Sequence, residues 1–419
     1  MIDRSSDIRI DDLAAPVLTP VQKMVVDGFA GAEVHFCEDA VLTEARERTG
    51  LSDFGPNDFR DRLAVWCQAV DEDAELGPMG RIRFFGDMVR YASNRLRFHD
   101  LLQRHPEILE VEIRKPIIIA GLPRSGTTHL LNLIAADSRL RSLPYWESLE
   151  PIPDPSHVPR HKEEDPRYLR CSAEHQMLGQ VAPLLKNMHD LAPDHVHEEI
   201  EVANLDFSSY QPEWLAVVPR WRDYYYEHDQ RPHYAYMKTV LKALQWMRGP
   251  DRWVLKSPQH LEQLGPLIET FPDATVALTH RDPVSVVASA ITMLTYGDRL
   301  RRTRVDPPAV AAYWIDRVER LLRACVRDRE LLPESQSIDV LFHDFMADDV
   351  AMVERIYEVA GIELTDDARS ELEGYMAANP RGKHGRIVYD LPGDFGVDPE
   401  MLRKRFDFYY ERFPIKAER

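Results

Sequence analysis

Residues 116–128 read Pro-Ile-Ile-Ile-Ala-Gly-Leu-Pro-Arg-Ser-Gly-Thr-Thr, and the fold turns on them. Pro116 to Ala120 is a short unbroken apolar run of the kind that forms a strand buried on both faces. Gly121-Leu-Pro-Arg-Ser-Gly126 follows as a glycine loop, and a helix is expected from about Thr127. In such a unit the backbone N–H groups of the loop and the first helical turn converge on one point, where the helix dipole also favours negative charge. The unit is an anion cradle. Its spacing, Gly121-x4-Gly126-Thr127-Thr128, fits the phosphate-loop pattern except at the lysine position, which holds Thr127. That lysine serves the β and γ phosphates of a nucleoside triphosphate, so its loss counts against ATP hydrolysis and makes Arg124 the substitute cation. A plain glycine turn with a threonine cap explains the glycines and threonines, but not an arginine among them after a buried strand.

Working outward, three more short apolar runs follow the same rule: Trp253-Val-Leu255, Thr275-Val-Ala-Leu278 and Ile338-Asp-Val-Leu-Phe342. Separated by helical stretches, they predict parallel strands of an α/β sheet. Before residue 110 the pattern is helical. Phe84, Met88 and Tyr91, with Phe85 and Val89, recur at three- and four-residue spacing between about Asp58 and His105, and Leu101-Leu102 close the run before Pro106. Residues 1–110 are therefore expected as an N-terminal helical extension and 111–419 as the catalytic domain. Within the latter, 150–250 is rich in Pro, His, Tyr and Trp and reads as a helical insertion on the acceptor side. Asp398-Pro399 starts a last helix whose Leu402, Phe406, Tyr409 and Phe413 share one face.

Composition removes several classes. A net charge of −18 argues against a nucleic-acid surface, which needs clustered Lys and Arg. An anionic ligand must then find a local cationic pocket. The N-terminal stretch has acidic residues where a signal peptide needs a basic start, and no later run approaches a membrane span, so stable membrane insertion is not expected and the cytoplasm is the expected location. Cys37, Cys67, Cys171 and Cys325 lie far apart and form no CxxC pair, so they read as reduced packing residues.

A second anion site follows the third run. Thr279-His280-Arg281-Asp282-Pro283 places Asp282 as a helix cap and Pro283 in the first turn, with Ser289 two turns along. Arg281 and Ser289 can hold one phosphate from two directions, although a surface ion pair and a solvated serine would give the same residues.

Taken together, Pro123-Arg-Ser-Gly-Thr-Thr128, Trp253-Val-Leu-Lys-Ser-Pro258 and Arg281-Asp-Pro with Ser289 resemble the sulfotransferase superfamily from about Phe84 to the end of the chain. The nearest likeness is to the bacterial branch with an arginine in the loop, which also resembles the tyrosylprotein enzymes. The resemblance implies a P-loop-like three-layer fold with a central parallel sheet. It implies 3'-phosphoadenosine-5'-phosphosulfate (PAPS) as sulfonyl donor, PAP as product and no metal requirement. On this basis Arg124, Ser125, Gly126, Thr127 and Thr128 contact the 5'-phosphosulfate, and Arg281 with Ser289 the 3'-phosphate. Lys256, at the carboxyl end of a strand, joins Arg124 as a catalytic cation. The basic turn Arg381-Gly382-Lys383-His384-Gly385 is similar to a late loop that closes on the 3'-phosphate, so Arg381, Gly382 and Lys383 are candidate contacts, with a solvated loop as the alternative.

Two departures bear on the base. Cytosolic members carry Lys where Arg124 stands, and Lys-Thr-His where this chain has Lys256-Ser257-Pro258. Glu147, 23 residues past Arg124, is the first candidate base, since related enzymes with a glutamate base carry it at a similar distance. His260, four residues after Lys256, is the second. The third is the cluster His195-Val-His197-Glu198-Glu199, read as substrate lining in preference to a metal site. Expected partners are a small-molecule, lipid or glycan acceptor offering a hydroxyl or amine, with no nucleic acid; a homodimer is compatible. Two other readings stand beside this one: a small-molecule kinase using ATP, which leaves Arg281 and Ser289 unexplained, and an inactive nucleotide-binding homologue.

Overall fold

In the computed structural model, which describes residues 7–157, 159–383 and 385–418, β2 (Ile117–Gly121) is the middle strand of a five-stranded sheet. It lies between β4 (Arg252–Lys256) and β5 (Thr275–His280); β3 (Leu140–Arg141) flanks β4 and β6 (Ser337–Leu341) flanks β5. All four pairings are parallel. β1 (Asp7–Ile8) and β7 (Arg386–Ile387) form a separate two-stranded parallel ribbon. The short apolar runs thus become strands within one or two residues of the expected bounds. β1, β3 and β7, two residues each, carry no periodic signal and were outside the expectation.

All five residues of β2 are buried, because helices cover both faces. Ile118 and Ala120 point with Leu255 and Val276 into one core, filled by Val240 and Leu241 of helix Arg231–Met247 and Ile291 of helix Pro283–Arg301. Ile117 and Ile119 point the other way, with Val254 and Ala277, onto helices Thr127–Ile134 and Asp349–Ala360. The alternation makes three layers. The carboxyl ends of β4, β2 and β5 then lie side by side, and each is followed by or ends in a cation: Lys256, Arg124 and Arg281.

The N-terminal region is helical, ending in the 27-residue helix Pro78–Arg104. Its Leu63, Trp66, Phe84 and Val89 share one apolar cluster with Phe207, Trp221 and Tyr225 of the insertion. Trp221 meets Trp66 edge-on at 5.3 Å and donates through Nε1 to the Ser209 carbonyl. Most of the insertion's aromatics therefore serve packing. At the C-terminus the expected single helix is two, Pro399–Arg405 and Asp407–Arg412, broken at Phe406. Leu402, Phe406, Tyr409 and Phe413 are nevertheless all buried, and Asp398 caps the first helix through its bond from the Glu400 amide. Among the described residues no helix is long and apolar enough to cross a membrane.

Candidate active site

The loop after β2 is shaped by two close constraints. A side chain on Gly121 would meet Thr279 Oγ1 of β5 at 1.8 Å, so only glycine lets the strand turn there. Gly126, at φ +88, caps helix Thr127–Ile134 from the left-handed region. Arg124 also lies at positive φ, +67, an uncommon state for a residue with a Cβ. It is held by its neighbours: Arg281 Nη1 donates to the Arg124 carbonyl at 2.8 Å, and Arg124 Nε donates to Ser289 Oγ at 2.9 Å. Ser125 Oγ bonds Thr279 Oγ1 at 2.7 Å beneath the loop. Residues some 160 positions apart in sequence are thus one constellation.

Its charge is unbalanced in one place. Burial presses the Arg124 guanidinium below its ordinary range, and the charge of Arg281 adds to this. Its hydrogen bonds go to neutral oxygens, of Ser289 and of the Met188 carbonyl. A half-buried cation with neutral partners favours an incoming anion. The Arg281 guanidinium lies over the Phe342 ring at 4.1 Å and donates through Nε and Nη2 to the carboxylate of Glu418, 2.7 Å each. Asp282 caps helix Pro283–Arg301 as expected, accepting from the Val284 amide at 2.9 Å. Lys256 is almost wholly buried; its Nζ lies 3.4 Å from Thr128 Oγ1 and is ion-paired with Glu198.

The two leading base candidates stand apart from this constellation. The Glu147 carboxylate takes Arg141 at 2.8 Å and Arg248 at 2.9 Å, balancing an arginine buried against Trp253 at the sheet edge. Both ring nitrogens of His260 are occupied, Nε2 by Glu199 at 2.6 Å and Nδ1 by Tyr234 at 2.8 Å, while Glu199 also accepts the Lys256 amide at 2.7 Å. Neither lines the cavity described below, so their positions suit holding Arg141 and Lys256 in place. In the late turn, Arg381 is bound by Asp349 and the Met346 carbonyl, Gly382 adopts φ +75, and Lys383 reaches the Ala378 carbonyl. These contacts do not include the loop. His384 lies outside the described residues.

A cavity of about 430 Å³ opens beside the loop. One end is formed by Arg124, Thr127, Thr128, Glu198, His189 and His197; the rest is mostly apolar, with Leu178, Leu185, Trp214, Met293 and Leu294. The segment carrying His195 to Glu199 is laid antiparallel along residues 143–146, with Tyr145 N bonded to the His195 carbonyl at 2.9 Å and His197 N to the Leu143 carbonyl at 2.8 Å. Burial, with the charges of Lys256 and Arg124, pushes the His189 imidazole down to about 3. Burial and the neighbouring imidazoles and Lys256 lower His197 as well. Both rings are therefore neutral near pH 7. His189, Tyr210 and the helix residues Arg90 and Tyr91 line the cavity without any local sequence motif to mark them.

Comparison with known proteins agrees with this geometry. The sulfotransferase family pattern matches residues 116–367, from the start of β2 to beyond β6. A crystal structure of sulfotransferase STF9 from Mycobacterium avium superposes with a TM-score of 0.82 at 27% identity, covering 92% of this chain and 99% of that one. Sulfotransferase STF1 from Mycobacterium tuberculosis gives 0.78 at 29% identity, covering 90% and 99%. An omega-hydroxy-beta-dihydromenaquinone-9 sulfotransferase, Stf3, of Mycobacterium tuberculosis is 23% identical over 289 residues, 62% of this chain and 66% of its own length. The parallel sheet with its anion loop defines an α/β, P-loop-like group-transfer enzyme. Within that class, the chain belongs to the sulfotransferase family.

Proposed function

We propose that the chain transfers a sulfonyl group from PAPS to the hydroxyl of a small, largely apolar acceptor. The observation that carries this is the mainly apolar cavity that ends on Arg124, Thr127 and Thr128. The donor fits the residues present. Arg124 is a half-buried cation with neutral partners, and Ser257 Oγ, next to Lys256, is buried without a hydrogen-bond partner. Arg124, Lys256, Ser125, Gly126, Thr127 and Thr128 would hold the 5'-phosphosulfate. Arg281 and Ser289 would hold the 3'-phosphate, with Glu418 giving way to it. When bound, PAPS supplies an activated sulfonyl group, and its departure leaves negative charge on the 5'-phosphate. Cations fixed before the reaction stabilise such charge without reorganising.

On the acceptor side, Trp214 and Leu294 favour a lipid-like alcohol over a glycan, whose hydroxyls would be left unpaired against them. The relative named for a hydroxylated menaquinone supports the same choice. The cytoplasm is the proposed location. The test is a transfer assay with labelled PAPS and a panel comprising geranylgeraniol, dodecanol, cholesterol, 2-naphthol and trehalose, read by mass spectrometry. Labelled product with the apolar alcohols and none with trehalose is expected; transfer to trehalose alone would overturn the acceptor assignment.

A further inference from the structure

Transfer to a hydroxyl needs a group that takes its proton, and the cavity offers four carboxylates: Asp87, Glu174, Glu198 and Glu201. Three are committed at the end formed by helix Pro78–Arg104. Asp87 is paired with Arg83 at 3.2 Å and Arg90 at 3.1 Å, and Glu174 faces Arg83 at 3.4 Å. Glu201 accepts Tyr91 Oη and Gln211 Nε2, each at 3.2 Å. Glu198 alone among them shares a partner with the anion loop, since Lys256 Nζ contacts both its carboxylate and Thr128 Oγ1. Near it stands Tyr210, fully buried and lining the cavity, its hydroxyl beside the Trp214 indole and within the field of Glu198 but without a well-formed hydrogen bond. A buried hydroxyl left without a good hydrogen bond is costly, and a ligand oxygen can recover that cost.

We propose that Glu198 is the general base of the transfer and that the Tyr210 hydroxyl fixes the acceptor oxygen beside it. This rests on the donor reading above. The acceptor O–H gives its proton to the Glu198 carboxylate while the acceptor oxygen bonds to sulfur. The bond from sulfur to the bridging oxygen breaks, and its electron pair leaves on the 5'-phosphate of PAP. In the resting protein Lys256 occupies Glu198; the donor's anion offers Lys256 a second partner and frees the carboxylate for the hydroxyl. The neighbouring imidazoles are weak competitors. Burial pushes the His189 imidazole down to about 3 and lowers His195 and His197, which weakens each of them as a base.

The experiment compares wild type, E198Q, E198D and Y210F on the fastest alcohol of the panel, measuring kcat and KM, with PAP affinity and melting temperature for each. Lys256 is ion-paired with Glu198, and the charged or titratable groups that line the same end of the cavity include Arg124, His189, His197, Tyr145 and Tyr210, all retained in E198Q. E198Q should fold, bind PAP and lose about 10²- to 10⁴-fold in kcat, with KM changed far less than kcat. E198D, which keeps a carboxylate, should retain more of kcat than E198Q. Y210F should raise KM about tenfold with PAP affinity unchanged. If E198Q and E198D both turn over within about threefold of wild type, the assignment is overturned. Should E198Q not fold, E198D decides by the same criteria. Failure of the wild type to bind PAP would instead sink the donor reading.

Discussion

Glu147 shows how one side chain can satisfy a motif and serve another purpose. Its spacing from Arg124 suits a base, yet its carboxylate is spent on Arg141 and Arg248. Arg141 is fully buried, so removing its counter-charge leaves an uncompensated cation. Glu147→Ala should therefore cost about 3–5 kcal/mol of stability in denaturant unfolding, with kcat of the folded fraction within about tenfold of wild type. A catalytic loss of a thousandfold or more at unchanged stability would restore Glu147 as the base. Sequence spacing places a residue along the chain, and the two arginines that claim this one come from a two-residue strand and the end of a helix 101 positions away. Glu198 was legible only as one of a His-Glu cluster, because its partner Lys256 lies 58 positions further on.

At the scale of elements, the strands were the readable part. Burial on both faces demands continuous apolar residues, so β2, β4, β5 and β6 announce themselves, and Gly121, Lys256-Ser257 and Asp282-Pro283 mark the carboxyl ends of β2, β4 and β5. Since parallel strands bring those ends to one edge, Arg124, Lys256 and Arg281 could be expected together before any coordinates. The acceptor cavity could not. Its walls come from helix Pro78–Arg104, helix Pro166–Val181, the Tyr210–Leu215 segment and helix Pro283–Arg301, and each apolar residue there looks like any other buried helix position. Trp214 is the test of that wall: its ring packs on Trp314 with centroids 4.2 Å apart while lining the cavity. Trp214→Ala should raise KM for the apolar alcohol by roughly tenfold or more and leave PAP affinity unchanged. An unaltered KM would move the acceptor out of this cavity.

Across the whole molecule, distant segments are drawn onto the sheet. The C-terminal helices reach the carboxyl end of β5 through His280, whose Nδ1 bonds Tyr409 Oη at 2.6 Å and whose ring stacks on Phe413 at 4.0 Å. Its Nε2 bonds Asp339 of β6 at 2.9 Å. Burial raises the Asp339 carboxyl, but hydrogen bonds from His280 and Arg329 outweigh it and bring the group to about 2, below its ordinary 3.8. A depressed carboxyl stabilises the fold above its unfolded value and loses that contribution as pH falls from about 4 towards 2. Asp339→Asn should therefore lower the melting temperature at pH 6, and the gap to wild type should close by about pH 2. A gap that stays constant with pH would place the effect in packing.

The donor reading depends on two anion sites acting on one nucleotide. Arg124 and the loop after β2 account for a 5'-phosphate group, and Arg281 with Ser289, joined to Arg124 by hydrogen bonds, accounts for a 3'-phosphate. Calorimetric titration of PAP and of AMP into wild type and Arg281→Ala tests this most directly. PAP should bind at least tenfold more tightly than AMP to the wild type, and Arg281→Ala should remove most of that difference while leaving AMP affinity within about threefold. Equal affinity for PAP and AMP in the wild type would contradict it.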